Sequence, residues 1–401
     1  MVQGRLQKYD VVVCGAGIAG SVAARLLAQK GISVLLLEKD EFSGKTNACG
    51  GLFDRPYFNR YVNDPNVLEQ SIKKNIFHLP WGKVVFKCDQ VTVKRRVFDR
   101  YLAEQARAAG ALLLNRQKVI DYRLQKSGQV LIQIKDIEQN KIWQVHSRII
   151  VFADGPNSLA YKNPVFKKQL KKKYWAYAYA YELADVPVSP EEVHIYFAPE
   201  IYAWGYGWIF PNKKESNVGV GTILPELKKE SLKSKLFYFF KSYAPTKQLL
   251  NNRKIVDKKG GYIPMWLMRK ISDDSQILLG DAAGMVSPLF GAGIDYAIES
   301  AEACVPVIEQ ALQTSNFSAS KLKEYEAKIE QRFGRELKKQ MLLARLIIFS
   351  KKFGKLWPVK ILSVIAFGSQ YNRWNKIKIL TFPWLGKPKT IRDQTHSIDH
   401  K

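Results

Sequence analysis

A glycine-rich loop near the start of the chain has the spacing of a dinucleotide-binding motif. Gly15, Gly17 and Gly20 form a G-x-G-x-x-G pattern, and Glu38 follows about 20 residues further on. In such a motif the first glycine allows a sharp turn, the second lets a pyrophosphate approach the backbone, and the third lets the helix pack closely on its strand. The free N–H groups at the helix start favour phosphate, and the carboxylate accepts hydrogen bonds from a ribose. The pattern predicts dinucleotide binding, with an unliganded tight turn as the alternative, and does not separate NAD from FAD.

A second glycine-rich stretch, "ILLGDAAG" (277–284), ends a hydrophobic strand and enters another loop. Asp281 in this loop is suited to hydrogen-bond the ribityl chain of a flavin. The segment "PLFGAGI" (288–294) then leads into a long helix, whose free N–H groups and dipole would face the N1/O2 edge of a flavin and favour its anionic reduced form. Together the two loops favour FAD over NAD, and a glycine-rich helix cap without a ligand is the alternative.

A third stretch, "GYGWIFPNKKESNVGVG" (205–221), carries three aromatic residues at alternate positions. Side chains two apart on a strand lie on one face, so Tyr206, Trp208 and Phe210 are expected to form one wall. Such a wall either packs into the core or lines a binding site for an apolar ligand.

The first glycine loop requires a strand, a helix and a second strand in succession. The short apolar run 11–13 is typical of a buried parallel strand, and 33–37 predicts its neighbour. Between them we expect a helix from about residue 18 to residue 30, ending at Gly31. This order of elements makes a βαβ unit.

The remaining chain alternates between helical and strand-like patterns. Residues 161–271 are rich in aromatics and strand-like, and 276–312 return to a strand, a glycine loop and a long helix. Further predicted elements are a helix over 96–110, strands near 112–135 and 142–153, weaker helices near 227–243, and helical spacing from Ser320 onward.

These segments, with "ADGPNS" (153–158), resemble the FAD-dependent oxidoreductases of the para-hydroxybenzoate hydroxylase superfamily, which carry GxGxxG, DG and GD motifs in this order. Within it, the chain is most similar to the geranylgeranyl reductase family. That family has a YxWxFP motif followed by an NVGxG strand, here residues 206–211 and 217–221. It also has a Cys-Gly-rich segment, here 49–51, and an Arg before a "VFD" helix, here Arg95 or Arg96. The similarity covers roughly residues 1–310.

The resemblance implies two sets of site residues. The expected FAD-binding residues are Gly15, Ala16, Gly17, Gly20, Glu38, Cys49, Gly50, Arg95, Val119, Asp154, Gly280, Asp281, Gly291, Gly293 and Ile294. The expected substrate-binding residues are Tyr206, Trp208, Phe210 and Pro211. No metal site is expected.

The resemblance also implies an α/β fold with a Rossmann-like FAD-binding domain of the para-hydroxybenzoate hydroxylase type. An α+β substrate domain built on an antiparallel sheet and a helical C-terminal region complete it. We expect the discontinuous FAD-binding domain over 1–160 and 272–315, the prenyl-binding domain over 161–271, and the basic helical region over 316–401.

The resemblance implies reduction of the isolated C=C bonds of geranylgeranyl or other polyprenyl chains. A polyprenyl chain offers no hydrogen bonds, so an apolar, shape-matched slot must hold it. Reduced FAD would deliver hydride from N5, and a proton would reach the other alkene carbon. Cys49 is the expected side chain nearest the reaction, unless it is only a small buried apolar residue. Tyr206 is a second candidate for proton delivery.

Other functions remain open at this stage. A flavin monooxygenase would consume oxygen, and a flavin-dependent halogenase would carry WxWxIP where this chain has Tyr206-x-Trp208-x-Phe210-Pro211. A cyclase-like isomerising role without net redox change, or a non-catalytic membrane-associated flavoprotein, is also compatible with the sequence. The electron donor is expected to be NAD(P)H, without a domain of its own, or a ferredoxin.

The charge of the chain points to an anionic partner. There are 63 Lys+Arg against 36 Asp+Glu, a formal net charge of +27. Residues 331–401 alone hold 16 Lys+Arg and 3 Asp+Glu, interleaved with Trp and Phe. Such a tail is suited to an anionic membrane surface. A solvated basic face is the alternative, and the absence of a recognition module argues against nucleic acid.

Composition narrows the setting further. An apolar content of 46% over 401 residues fits a globular chain with a sizeable core. The four scattered cysteines indicate neither zinc nor disulfides, and the near-immediate glycine loop argues against a signal peptide. No apolar run reaches membrane-spanning length. We therefore expect a monomer in the cytoplasm, peripheral on a membrane surface, with His78, His146 and His194 standing alone as structural or surface residues.

Overall fold

A computed structural model describes residues 7–45, 49–80, 82–198, 205–228 and 231–352. The strands are β1 (Gln7–Cys14), β2 (Val34–Leu37), β3 (Leu52–Asp54), β4 (Leu68–Leu79), β5 (Gly82–Val93), β6 (Leu112–Leu114), β7 (Gln117–Leu124), β8 (Val130–Asp136), β9 (Lys141–Phe152), β10 (Trp175–Ala184), β11 (Glu192–Tyr196), β12 (Gly205–Pro211), β13 (Glu215–Ile223), β14 (Ile255–Pro264), β15 (Ser272–Asp273) and β16 (Gln276–Leu278). The helices are α1 (Ile18–Ala28), α2 (Arg55–Tyr61), α3 (Arg95–Ala108), α4 (Pro164–Lys167), α5 (Leu232–Lys241), α6 (Ala244–Leu250), α7 (Ile294–Gln313), α8 (Ala319–Ile329) and α9 (Arg335–Lys352).

The first sheet has the strand order β15-β16-β9-β1-β2-β6, with β7 and β8 continuing from β9. Strand β1 pairs in parallel with both β2 and β9. Residues 11–13 of β1 and 34–37 of β2 are buried, because helices cover a parallel sheet on its faces. Helix α1 contacts both α3 and α7 on this sheet. The predicted βαβ unit is thus confirmed.

The second sheet has the strand order β14-β10-β13-β12-β11-β4-β5-β3. Its pairs are antiparallel except for β11 and β4, which run in parallel. Helices α5 and α6 cover one face and bury Leu236 and Phe239 against Ile209, Val218 and Val220. The opposite face carries small and aromatic side chains and turns toward the first sheet. The predicted α/β class with a second, largely antiparallel sheet is confirmed.

The two sheets divide the chain differently from the predicted domain boundaries. Strands β3 to β5 fall within residues 1–160, which the sequence assigned to the FAD-binding domain, yet they belong to the second sheet. Strands β3 to β5 join the second sheet through the parallel pairing of β4 with β11, in which Ile76 lies opposite His194. A pairing between strands so far apart leaves no local pattern in the sequence.

The C-terminal region begins with α7 and α8, followed by a π-helical turn over Glu330–Gly334 that leads into α9. Residues 353–401, most of the predicted basic tail, lie outside the described residues. In the part of the chain that is described, none of the helices has both the length and the apolar character needed to cross a bilayer.

Candidate active site

A large cavity lies between the two sheets. Its volume is about 1300 Å³, and its wall combines the glycine loops of the first sheet with the inner face of the second. Single-ligand pockets typically measure about 300–1,000 Å³. The cavity therefore has room for a large cofactor together with a second, elongated ligand.

The first glycine loop forms one end of this cavity. Gly15 has φ +94°, and a Cβ there would lie 2.5 Å from the carbonyl oxygen of Ala153. A Cβ on Gly20 would lie 1.9 Å from the carbonyl oxygen of Gly15, so helix and strand could not pack as they do. A Cβ on Gly17 would meet no atom within 4 Å. Gly17 thus faces open space at the start of α1, where no side chain caps the helix N–H groups.

Glu38 directly follows β2 and closes the same loop. Its two carboxylate oxygens accept backbone N–H bonds from Ala16 (3.0 Å) and Asp40 (2.9 Å). Burial raises the pKa of this carboxyl group, whereas the two backbone donors oppose the rise. Remaining lone pairs on Glu38, which lines the cavity, are placed to accept hydroxyl groups of a ribose.

Two further carboxyl groups line the cavity where the second glycine loop meets the "ADGPNS" turn. Asp154 accepts a hydrogen bond from the N–H of Leu159 (2.7 Å) through Oδ2, whereas its buried Oδ1 has no partner among the described residues. Burial raises the pKa of Asp281 to about 6, and the positive charge of Arg95 opposes this shift. Helix α7 starts beside Asp281, after Gly293, without a side-chain cap. These unused polar groups fit the hydroxyls and ring edge of a flavin.

Most of the predicted cofactor residues line this cavity. Thirteen of the fifteen do so, namely Gly15, Gly17, Glu38, Cys49, Gly50, Arg95, Val119, Asp154, Gly280, Asp281, Gly291, Gly293 and Ile294. The other two act one step away, because Ala16 donates its N–H to Glu38 and Gly20 packs α1 against the loop.

The predicted aromatic wall is present on β12. The ring centroids of Tyr206 and Trp208 lie 5.9 Å apart, and those of Trp208 and Phe210 lie 6.0 Å apart. All three side chains line the cavity. Pro211 does not line it, and its carbonyl accepts a hydrogen bond from Thr92 Oγ1 (2.8 Å), so the expectation that Pro211 contacts substrate is not met. The alternation that exposes residues 206, 208 and 210 to the cavity places 211 on the other face.

Trp208 is held by a buried polar network. Its Nε1 donates to Asn217 Oδ1 (2.7 Å), and Asn217 Nδ2 donates to Glu182 Oε1 (2.9 Å). Lys259 Nζ reaches the same Glu182 oxygen at 3.0 Å. The ring itself lies over Gly219, where a Cβ would be 2.3 Å from a ring carbon. The indole ring is therefore held at its edge by the hydrogen bond to Asn217 and on its face by close packing against Gly219.

The other two wall residues connect the substrate side to the cofactor side. A Cβ on Gly50 would lie 2.5 Å from the Phe210 ring, so the Cys-Gly segment packs directly on the wall. The hydroxyl of Tyr206 donates a hydrogen bond to the carbonyl of Phe290, in the loop before α7. Burial raises the pKa of Tyr206. The contact occupies the proton that the sequence analysis considered for delivery to substrate.

Cys49 lies in the cavity wall beside Arg95. Its Sγ accepts a hydrogen bond from the N–H of Gly51 (3.4 Å) and faces the Arg95 guanidinium. Arg95 is itself fixed by two hydrogen bonds to Asp99, at 2.6 and 2.7 Å. The Cys49 thiol therefore lies in the cavity wall beside a cation whose position is fixed.

Comparison with known proteins gives two matching family models. A model described as "FAD dependent oxidoreductase" matches residues 10–72, which hold the first glycine loop and Glu38. A model described as "Geranylgeranyl reductase catalytic domain" matches residues 175–263, which hold the aromatic wall and its network.

A relative from Methanopyrus kandleri, named digeranylgeranylglycerophospholipid reductase 1, is 30% identical over 338 residues. The match covers 81% of this chain and 87% of that protein. The chain belongs to the geranylgeranyl reductase family. It is an FAD-dependent oxidoreductase, as the resemblance implied.

Solved structures agree on the fold of this family member. A geranylgeranyl bacteriochlorophyll reductase-like protein from Thermoplasma acidophilum superposes with a TM-score of 0.81 at 22% identity, covering 98% of this chain and all of that one. The myxobacterial halogenase CndH, described as an FAD-dependent halogenase, gives a TM-score of 0.69 at 16% identity, covering 98% and 88%. At these identities the likeness concerns the fold alone.

Among the described residues eight aromatic side chains line the cavity, and the sequence predicted three of them. Phe77, Phe197 and Phe290 extend the wall of Tyr206, with ring centroids 5.6 to 6.1 Å apart. They come from β4, the residue after β11 and the loop before α7, and the parallel pairing of β4 with β11 brings the first two together. Asn217 belongs to the NVGxG motif, but no sequence pattern indicated its hydrogen-bond partner Glu182 on β10.

The prediction that the histidines stand alone is wrong for two of them. His78 Nε2 and His194 Nδ1 lie 3.0 Å apart in a hydrogen bond, and the Tyr196 ring stacks on His78 at 4.1 Å. Burial lowers the pKa of both. Neither lines the cavity. Among the described residues no group of three His, Cys, Asp or Glu side chains is arranged to hold a metal ion.

Proposed function

We propose that this enzyme reduces isolated C=C bonds in geranylgeranyl or related polyprenyl chains attached to a lipid or a prenylated cofactor. The observation that carries the proposal is the continuity of one cavity, which is lined by both the first glycine loop and the aromatic wall. The Cys-Gly segment lies between them, because Gly50 packs against Phe210. Relatives named digeranylgeranylglycerophospholipid reductases support it.

The apolar half of the cavity binds the polyprenyl chain. Its walls include Trp208, Phe210 and the alanines Ala178 and Ala180 of β10, which belong to one apolar cluster. Burying a chain in such a slot contributes about 25 cal/mol per Å² of apolar surface removed from water. The same walls exclude water, and the aromatic faces stabilise positive character that develops on an unactivated alkene.

Bound FAD, once reduced, supplies the hydride. The proton for the second alkene carbon comes, in this proposal, from a side chain in the cavity wall. We assign this role to Cys49 Sγ, which lines the cavity next to Arg95. Tyr206 Oη, which donates to the carbonyl of Phe290, instead anchors the wall to the loop before α7.

The setting of the reaction belongs to the same proposal. We propose that the electron donor is NAD(P)H or a ferredoxin. We also propose that the enzyme is a monomer that lies on the cytoplasmic surface of a membrane. The positive net charge and the lipid nature of the proposed substrate support a peripheral position.

The decisive experiment is anaerobic. Purified protein is reduced with dithionite and mixed with geranylgeranyl lipids, and products are analysed by mass spectrometry. Addition of one pair of hydrogen atoms per double bond would establish the activity. Bound flavin with oxygen-dependent turnover of an aromatic substrate, and no alkene reduction, would replace the proposal with a monooxygenase or halogenase.

A further inference from the structure

Helix α9 presents apolar side chains in two directions. Leu343 and Ile347 line the cavity, and Ile348 packs against Met265 and its buried neighbours. On another side of the helix, Leu342, Leu346 and Phe349 are 60%, 54% and 62% exposed. Their spacing of four and three residues aligns them in one stripe. We call these three residues the outer stripe of α9. Large apolar side chains exposed together mark an interaction surface.

A basic cluster forms around two segments that are distant in sequence. Gln169 Nε2 donates to the carbonyl of Lys270 (3.1 Å), and its Oε1 accepts the N–H groups of Arg269 and Lys270, both at 2.9 Å. These hydrogen bonds join the two segments. The segments carry seven exposed cations that we call the basic cluster: Lys167, Lys168, Lys171, Lys172, Lys173, Arg269 and Lys270. Within the described parts of the chain none of the seven forms an ion pair.

The basic cluster and α9 are neighbours. Arg269 lines a groove together with Lys338, in the first turns of α9, and Glu330. Trp266, next to Met265, stacks on Tyr174 at the end of the lysine segment, with ring centroids 5.0 Å apart. Helix α9 adds the exposed cations Lys339 and Arg345, and Lys338, which pairs with Glu330 at 2.6 Å. Cations and apolar side chains thus form one continuous surface.

The cavity reaches the exterior beside this surface. Phe290 and Tyr262 line the cavity and are also 41% and 43% exposed, so they lie at its mouth. Ser287 Oγ donates to Gln340 Oε1 (2.7 Å) and ties the loop of Phe290 to α9. Leu343 and Ile347, which line the cavity, each follow an outer-stripe residue by one position, about 100° around the helix, so the cavity and the outer stripe lie on adjacent sides of α9.

We propose that α9 and the basic cluster form a docking surface for an anionic lipid bilayer. The outer stripe enters the interfacial layer, the cations meet the headgroups, and the cavity mouth faces the acyl region from which a polyprenyl tail is taken up. This rests on the proposed function for the nature of the ligand. Charge complementarity and the apolar stripe together favour a bilayer, because a nucleic acid would leave the stripe in water.

The test measures vesicle binding of the full-length FAD-loaded protein by sedimentation. Vesicles contain phosphatidylcholine either alone or with phosphatidylglycerol. Two triple variants remove the surface, one combining Lys171→Ser, Lys172→Ser and Lys173→Ser, the other Leu342→Ser, Leu346→Ser and Phe349→Ser. Matched controls on a distant face are Lys8→Ser, Lys126→Ser and Lys141→Ser combined, and Ile142→Ser, whose side chain is 60% exposed.

We expect the wild type and both controls to bind anionic vesicles at least tenfold more tightly than either surface variant, with salt weakening the wild-type interaction. Unchanged binding by both surface variants, or equal wild-type binding to neutral and anionic vesicles, would overturn the proposal. Flavin content and Tm confirm that the variants are folded, since the replaced side chains are exposed. Alkene reduction of detergent-dispersed substrate is measured in parallel. Its absence in the wild type would refute the proposed function without touching the docking surface.

Discussion

The indole ring of Trp208 lies against Gly219 of the neighbouring strand, where even a methyl group would come within 2.3 Å of a ring carbon. The second glycine of the same strand, Gly221, is different, because a Cβ there would lie 3.6 Å from the ring, at ordinary contact distance. A substitution at Gly219 therefore tests the space that the Trp208 ring occupies, whereas the same substitution at Gly221 tests whether β13 tolerates a side chain at all.

Gly219→Ala is expected to displace Trp208 and narrow the slot. Overpacking of a filled site costs about 1–3 kcal/mol, so Tm should fall and kcat/KM for alkene reduction should drop at least tenfold. Gly221→Ala serves as the matched control and should change neither value appreciably. Equal effects of the two substitutions would show that the ring position is not what Gly219 protects.

Removing Asn217 is expected to free the indole edge. In Asn217→Ala, Trp208 Nε1 loses its acceptor and Glu182 loses a donor, and a buried unsatisfied group costs about 1–3 kcal/mol. Denaturant unfolding and the intrinsic fluorescence spectrum would report this. Glu182→Gln keeps an acceptor for Asn217 but removes the charge opposite Lys259, so it should alter the fluorescence less. A fluorescence spectrum of Asn217→Ala identical to wild type would contradict the network.

Gly17→Ala tests the cofactor cradle. Because a Cβ at this position meets no protein atom, the apoprotein should keep its Tm. The methyl group would stand where a pyrophosphate approaches the backbone, so FAD affinity should fall at least tenfold, measured as flavin bound per protein. Gly15→Ala, which clashes with Ala153, should instead destabilise the apoprotein. Full flavin loading of Gly17→Ala would place the pyrophosphate elsewhere.

Cys49 is tested by two substitutions. General acid catalysis contributes about 10²–10⁴ to a rate, so Cys49→Ala should reduce alkene reduction about a hundredfold, while flavin content and dithionite reduction of the flavin remain unchanged. Cys49→Ser keeps a donor of similar size and should lose less. Wild-type rates in both variants would remove Cys49 from the chemistry.

Whether the sequence could predict a residue of the site depends on how far apart in the chain the interacting residues lie. The glycine loops and the wall on β12 are local patterns, so Gly15, Gly20, Asp281 and Trp208 were placed from spacing and resemblance alone. The residues that complete the site depend on strand order, which periodicity does not encode. Phe77 and Phe197 reach the wall only through the parallel pairing of β4 with β11.

A different property, pH-dependent stability, follows from Asp295 in the first turn of α7. Its Oδ1 is buried without a partner among the described residues. Burial, reinforced by the nearby charges of Asp54 and Glu299, raises its pKa from 3.8 to about 7. In the unfolded chain this carboxyl ionises above pH 3.8, whereas in the folded protein it stays protonated until about pH 7. The free energy of unfolding therefore decreases as pH rises through this interval and remains lower above it.

Asp295→Asn removes this titration, so its advantage in stability over the wild type should be larger at pH 8 than at pH 5. A pKa unit corresponds to about 1.4 kcal/mol, and solvent relaxation around a partly accessible group reduces that figure. Thermal unfolding of both proteins at the two pH values measures the difference. Asp185→Asn, at an exposed position, is the matched control and should follow the wild type. If the difference in stability between Asp295→Asn and the wild type were the same at both pH values, the carboxyl group would have to be ionised in the folded protein already at pH 5. A group other than its neighbours Asp54 and Glu299 would then have to stabilise that buried charge.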